Sequence, residues 1–369
     1  MRRAGEPARR SDLARRFPHR AIAPRARRGL RGCRGLAAGR CPLAVAVLAA
    51  GCAGTPQVVP AREPTGRPGP AEWVQSSAPW SFGARGGRVL TTPHYRLYIS
   101  TEDARLAARL PGFFEAALAH YRAAVTPLPA PPSLPERLEA FVLGDRADWE
   151  RLTVQLMGER AGLYRRIGRG GYAWGGRSVI YAQPGTDTFA VAAHEGWHQY
   201  TQRVFAHRLP PWLDEGLATY MEGHRWEGER PVFDPRHNPE RLAQLRGVAQ
   251  EGRLLPLGTL LNASPQGILE SEGSAGATAP TADALGYYAQ AWALARFLME
   301  ADNGRHREGL GRLVADAAAG RLRVGGAPWR RGLGPGVGLS VFAGYIGPDL
   351  DGAQRDYLEF VRGLIEAGP

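Results

Sequence analysis

Two histidines four residues apart, with a glutamate directly after the first, constrain this chain more than any other feature: His194-Glu195-Gly196-Trp197-His198. On an α-helix, positions i and i+4 lie one above the other on the same face. His194 and His198 can then grip one metal ion, and Glu195 falls beside any water that the ion polarises. The spacing carries this meaning only on a helix, and the flanks predict one. Thr186 and Asp187 are N-cap residue types, and 188–205 holds no proline and a single glycine. Ala190, Val191, Trp197, Val204 and Phe205 supply apolar surface for packing into a core. Tyr172–Ala182, rich in aromatic and β-branched residues, reads as a preceding strand bent at Gly175-Gly176. A strand followed by a buried helix with two histidines is the layout expected of a zinc hydrolase cleft.

A catalytic zinc needs three protein ligands and one open position. A third histidine on an extended version of the motif would require glycine at 201 and histidine at 204. Thr201 and Val204 stand there, which excludes the metzincin pattern. A glutamate on the next helix is the other common solution, and Pro210–Tyr220 offers one in Glu215. Pro211 suits a first helical position, and Leu213, Leu217, Tyr220 and Met221 form the apolar stripe. Glu215 lies off that stripe, so it is either a solvated carboxylate or the ligand that faces the histidine helix. Periodicity does not choose between these, and Asp214, Glu222 and His224 are further donors close by.

The pair HEGWHQY and WLDEGLATY resembles the gluzincin (peptidase MA-like) metallopeptidases, the group that includes thermolysin and the zinc aminopeptidases. The likeness spans about residues 90–300. It implies one zinc ion per chain, held by His194, His198 and Glu215, with Glu195 as general base. It extends to Leu285–Met299, similar to a later helix of the group on which a tyrosine hydrogen-bonds the oxyanion. Tyr288 in Tyr-Ala-Gln-Ala matches that position, with Tyr287 as its rival, and core packing would equally account for either. One departure stands out. Zinc aminopeptidases carry a glutamate on an edge strand that binds the substrate's free amine, whereas Gly170–Trp174 has no acidic residue. The resemblance implies a peptidase acting on a peptide or protein substrate, and this departure favours endopeptidase over aminopeptidase action.

The formal charge of +12 is concentrated at one end of the chain. Residues 1–51 hold 13 Arg against Glu6 and Asp12, and the rest is nearly balanced; every basic residue is Arg, none Lys. A basic arm can bind nucleic acid. Here it runs into Cys41–Gly51, an apolar stretch too short to span a bilayer but suited to a signal-peptide core, so no nucleic-acid partner is expected. Leu48-Ala49-Ala50-Gly51-Cys52 resembles a bacterial lipobox, which implies a lipid anchor on Cys52 and a place in the cell envelope; a plain secretory cleavage site is the rival. In a Gram-negative cell the absence of Asp at 53 favours the outer membrane. Cys33, Cys41 and Cys52 are the only cysteines, which excludes disulfides, thiolate ligands and a cysteine nucleophile from the domain.

The expected organisation is a leader (1–51), an anchor cysteine with a Pro/Gly-rich tether (52–85) and one metallopeptidase domain (86–369). Strands are predicted at 94–100, 138–143 and 172–182, and helices at 104–124 and 147–157. After Pro211 the pattern is almost entirely helical: 211–223, 239–250, 285–300, 305–319 and 350–366. The fold class is α+β, a mixed β-sheet lobe with the histidine helix and then a mostly α-helical lobe, with the cleft between them (zincin-like). Ser271–Ala284 is irregular and reads as a solvated loop, with a rim of that cleft as the rival reading. Gly325–Gly338 is Gly-rich but lacks the strand-to-helix context of a phosphate loop, so no nucleotide is expected. The rival function is a lipoprotein that keeps this fold as a binding or assembly module, and an intact Glu195 argues for the enzyme.

Overall fold

A computed structural model describes residues 70–124, 133–165, 170–182, 187–264, 282–325, 327–328 and 336–368. The leader, Cys52, most of the tether, nearly all of the 271–284 segment and most of 325–338 lie outside them. Strands β1 (Ser76–Phe82), β2 (Arg85–Thr91), β3 (Tyr95–Ile99), β4 (Leu138–Leu143), β5 (Gly171–Trp174) and β6 (Arg177–Tyr181) form one sheet in the order β1-β2-β3-β4-β6-β5. The β3–β4 and β4–β6 pairs are parallel and the others antiparallel, so the sheet is mixed.

Helices cover both faces, as near-continuous apolar strands require. Helix α1 (Ala104–Ala124) follows β3, and α4 (Thr188–Val204) follows β6. Both pack on the face that buries Leu97, Ala140, Val142 and Ile180. On the opposite face α2 (Arg146–Met157) brings Trp149, whose indole N–H donates to the Val179 carbonyl at 3.0 Å. The same face stacks Tyr98 on Phe141, ring centroids 4.4 Å apart. A single turn, α3 (Ala161–Tyr164), precedes β5.

The segment read as one bent strand, 172–182, is a hairpin. Gly175 and Gly176 both have positive φ, 59° and 75°, the conformation that a two-residue hairpin turn demands and only glycine adopts freely. The chain therefore reverses there, and β5 becomes the sheet edge instead of an extension of β6. Gln202 of α4 pins this hairpin, donating to the Ala173 carbonyl at 3.0 Å and accepting from the Gly176 N–H at 3.1 Å.

The tether also ends sooner than expected. The boundary at 85 would cut the β1–β2 hairpin, whose strands pair from Ser76↔Thr91 to Phe82↔Arg85. The compact unit runs Pro68–Pro369.

Beyond α4 the chain is mostly helical, with α5 (Pro211–Met221), α6 (Pro239–Gln250), α7 (Leu257–Asn262), α8 (Ala282–Glu300), α9 (Arg307–Ala318), α10 (Val337–Tyr345) and α11 (Leu350–Ala367). The expectation of helix alone is corrected at β7 (His224–Glu227) and β8 (Arg230–Phe233), a charged hairpin turned by Gly228. A two-residue ladder, β9 (Arg323–Val324) with β10 (Ala327–Pro328), also intervenes. Part of 325–338 is helical, since α10 starts at Val337. No helix among the described residues is long and apolar enough to cross a membrane.

Helix α4 is held by close approaches that leave no slack. A Cβ on Gly196 would lie 2.4 Å from the Tyr121 hydroxyl, which itself donates to the Ala193 carbonyl at 2.8 Å. Gly196→Ala should therefore destabilise the domain by about 1–3 kcal/mol through overpacking. Adding Tyr121→Phe should recover part of that loss by removing the clashing oxygen. Denaturant midpoints of the two variants test this, and a midpoint unchanged by Gly196→Ala alone would show that the contact yields without cost.

Candidate metal centre

Three elements converge to build the site. Helix α4 starts where Asp187 caps it, its carboxylate accepting from the N–H groups of Phe189 and Ala190 at 2.9 and 3.2 Å. From that start, His194 and His198 fall on one face, with Trp197 fully buried on the flank beside them. Helix α5 begins with Pro211 in its first turn and buries Leu213, Leu217 and Met221, which turns Glu215 toward the histidines. Helix α8 crosses α5 tightly. A Cβ on Gly216 would lie 2.9 Å from the Ala291 carbonyl oxygen, so only glycine at 216 lets the two backbones approach this closely.

The donor atoms form a nearly equilateral triangle. His194 Nε2 and His198 Nε2 are 3.3 Å apart, and Glu215 Oε2 is 3.3 Å from each. His194, His198 and Glu215 are the group of side chains, among the described residues, placed to hold a metal ion. The dimensions fit zinc. A tetrahedron's edge is about 1.63 times its centre-to-corner distance, so such a triangle centres an ion about 2.0 Å from each donor, the zinc–nitrogen and zinc–oxygen range. Among the described residues no fourth donor joins the group.

Outer partners fix which nitrogens face that point. His194 Nδ1 lies 2.9 Å from Glu222 Oε1, and His198 Nδ1 lies 3.4 Å from Asp214 Oδ1. Asp214 is itself held by the Trp197 indole N–H at 3.1 Å. Two of the alternative third donors, Asp214 and Glu222, thus stand behind the histidines instead of in front of them, with Nδ1 bound outward and Nε2 free to face the centre. His224, the remaining alternative, is turned away, its Nδ1 on the Glu222 carbonyl at 2.8 Å.

The charges agree with the geometry. Burial disfavours the anion of Glu222, but the Arg241 guanidinium and the bond to His194 outweigh it and hold the carboxyl down to about 2. Burial likewise opposes ionisation of Glu215, and the two histidines overcome it and keep the carboxyl well below its usual range. For His194, burial lowers the pKa, but hydrogen bonds to Glu215 and Glu222 raise it, on balance to about 9. A metal ion must therefore compete with a proton for Nε2.

Glu195 is buried beside this triangle and accepts no hydrogen bond from the described residues. Burial raises its carboxyl pKa; Glu215 and Glu222 add to the rise, and the histidines pull the other way. Of the two tyrosines, Tyr288 faces the site, its ring centroid 6.0 Å from that of His194. Tyr287 is 1% exposed, packs against Tyr288 and has no hydrogen-bond partner for its hydroxyl among the described residues. Burial, then the carboxylates Glu215 and Glu195, push the Tyr288 hydroxyl well above its ordinary pKa, so it stays an O–H donor.

Sequence reasoning missed the roles of Glu222, Asn238 and Arg241. Glu222 stands seven residues after Glu215, two turns along and on the same side, and that spacing is the signal that could have found it. Comparisons with protein-family models, with curated proteins and with solved structures find no match for the chain.

Proposed function

We propose that this chain is a zinc-dependent endopeptidase of the gluzincin type, with a zincin-like fold, anchored in the cell envelope by a lipid on Cys52. The observation that carries the reading is the donor triangle of His194, His198 and Glu215, with the buried carboxylate of Glu195 beside it. Zinc, when bound there, acts as a Lewis acid toward water and the substrate carbonyl.

The chain's own residues supply the rest. Glu195, with no donor to satisfy it among the described residues and a raised pKa, accepts the proton of the attacking water and returns it to the leaving nitrogen. Tyr288, protonated at neutral pH, donates to the oxygen that gains charge at the scissile carbonyl. The outer side of β5 is unpaired among the described residues, and the strand lies against α4. Its outward backbone groups can pair with an extended peptide by strand addition. Gly171–Trp174 carries no carboxylate to hold a free amino terminus, which favours cleavage within a chain.

The test is turnover of an unbiased peptide library by zinc-loaded and chelated protein, with amino termini free or blocked. Loaded protein should cleave both kinds of peptide equally and chelated protein neither. Cleavage of unblocked peptides alone would overturn the endopeptidase reading. Failure on every peptide by a zinc-loaded protein would favour a binding or assembly module.

The anchor has its own check. Cys52→Ser should abolish labelling by a fatty acid and leave the precursor uncleaved. Soluble wild-type protein cut after another residue would mean simple secretion.

A further inference from the structure

We infer that Arg241, on α6, is a positioning residue that fixes the metal ligand His194 and the donor Tyr288 in one arrangement; this rests on the zinc-peptidase reading above. Arg241 is largely buried and grips both oxygens of Glu222, Nε to Oε2 at 2.8 Å and Nη2 to Oε1 at 2.6 Å. That planar fork leaves the carboxylate a single orientation. Asn238 reinforces it, donating to Glu222 Oε2 at 3.0 Å while its side-chain oxygen caps α6 by accepting from the Arg241 backbone N–H at 3.2 Å.

Glu222 in turn receives His194 Nδ1 at 2.9 Å. An ionised carboxylate there makes Nδ1 the protonated nitrogen and leaves the Nε2 lone pair for the metal. The same guanidinium lies 5.5 Å from the centroid of the Tyr288 ring, the ring that also contacts His194 edge-to-face. One side chain thus joins the start of α6, the end of α5, the histidine of α4 and the tyrosine of α8. A purely structural ion pair would account for the fork on Glu222 but gives no reason for the catalytic tyrosine to lie against the same guanidinium. Lysine could keep the charge, but it has neither the fork nor the plane.

Two variants of the full-length protein test this. Arg241→Lys should weaken zinc binding, read by competition with a chromogenic chelator, about 10–100-fold. It should lower kcat with little change in KM, and the visible spectrum of the cobalt-substituted protein should shift as the His194 ring reorients. Arg241→Met combined with Glu222→Gln removes both buried charges, so no orphan ion penalises folding. In that double variant the amide oxygen can still accept from His194 Nδ1. Zinc affinity should nevertheless stay below wild type, because nothing clamps that amide, and kcat should stay depressed because Tyr288 has lost the guanidinium against its ring.

Wild-type zinc affinity and kcat in Arg241→Lys would overturn the inference and leave the peptidase reading standing. Full recovery of kcat in the double variant would also overturn it, reducing Arg241 to a counter-ion for Glu222. A wild-type protein that neither binds zinc nor cleaves peptides would overturn both.

Discussion

Glu195→Gln should leave zinc content and the denaturation midpoint unchanged while peptide hydrolysis falls by about two to four orders of magnitude. The separation follows from where Glu195 stands. It is adjacent in sequence to a ligand but is not one of the three donors, whose mutual distances of 3.3 Å close without it. Among the described residues it accepts no hydrogen bond, so the amide breaks no structural contact. The amide matches the carboxylate in volume, so no cavity opens. What it cannot do is take a proton. Burial raises the pKa of Glu195 and brings the carboxylate closer to the proton affinity that a general base needs near neutral pH. Zinc measured per chain, the unfolding midpoint and turnover together decide the matter. Loss of zinc in step with activity would make Glu195 a ligand. Undiminished turnover would place the base elsewhere.

What the sequence made legible follows from which signals are local. Helix α1 lies at the expected Ala104–Ala124, marked by its apolar periodicity, and α6 at the expected Pro239–Gln250, marked by an Asn cap and a first-turn proline. Strand β4, the apolar run Leu138–Leu143, was equally plain. The β1–β2 hairpin was not. β1 reads SSAPWSF with most residues exposed, so no alternation of burial marks it, and its pairing with Arg85–Thr91 is a property of the sheet it extends. The glycine pair at 175–176 announced a change of direction, but whether it bends or reverses the chain depends on φ at both residues. In the centre, the histidine spacing gave two of the three donors and Glu195. Facing of Glu215 depended on how closely α5 meets its neighbours, a distance set by Gly216 against Ala291 some 75 residues away in sequence. Arg241 was illegible for the same reason. Its partners lie on α5 and α8, and nothing in its own segment distinguishes it from a solvated arginine.

Glu215→Ala should cost the domain its zinc. The carboxylate supplies one corner of the triangle, with Oε2 3.3 Å from each Nε2, and no other carboxylate among the described residues can replace it. Asp214 is turned to the Nδ1 side of His198 and to the Trp197 indole, and Glu222 is clamped by Arg241. Two imidazoles alone leave the ion half coordinated by water. The loss of affinity should therefore exceed the roughly 10–100-fold expected from removing an outer partner such as Glu222. The comparison of Glu215→Ala with Glu222→Ala is thus the informative experiment, because both residues are acidic, largely buried and in contact with His194. If zinc competition ranks Glu215→Ala far below Glu222→Ala, the inner and outer positions are as the triangle implies. If Glu222→Ala loses the metal and Glu215→Ala retains it, the third donor is Glu222, and the His194 ring must turn over to present Nδ1 to the ion.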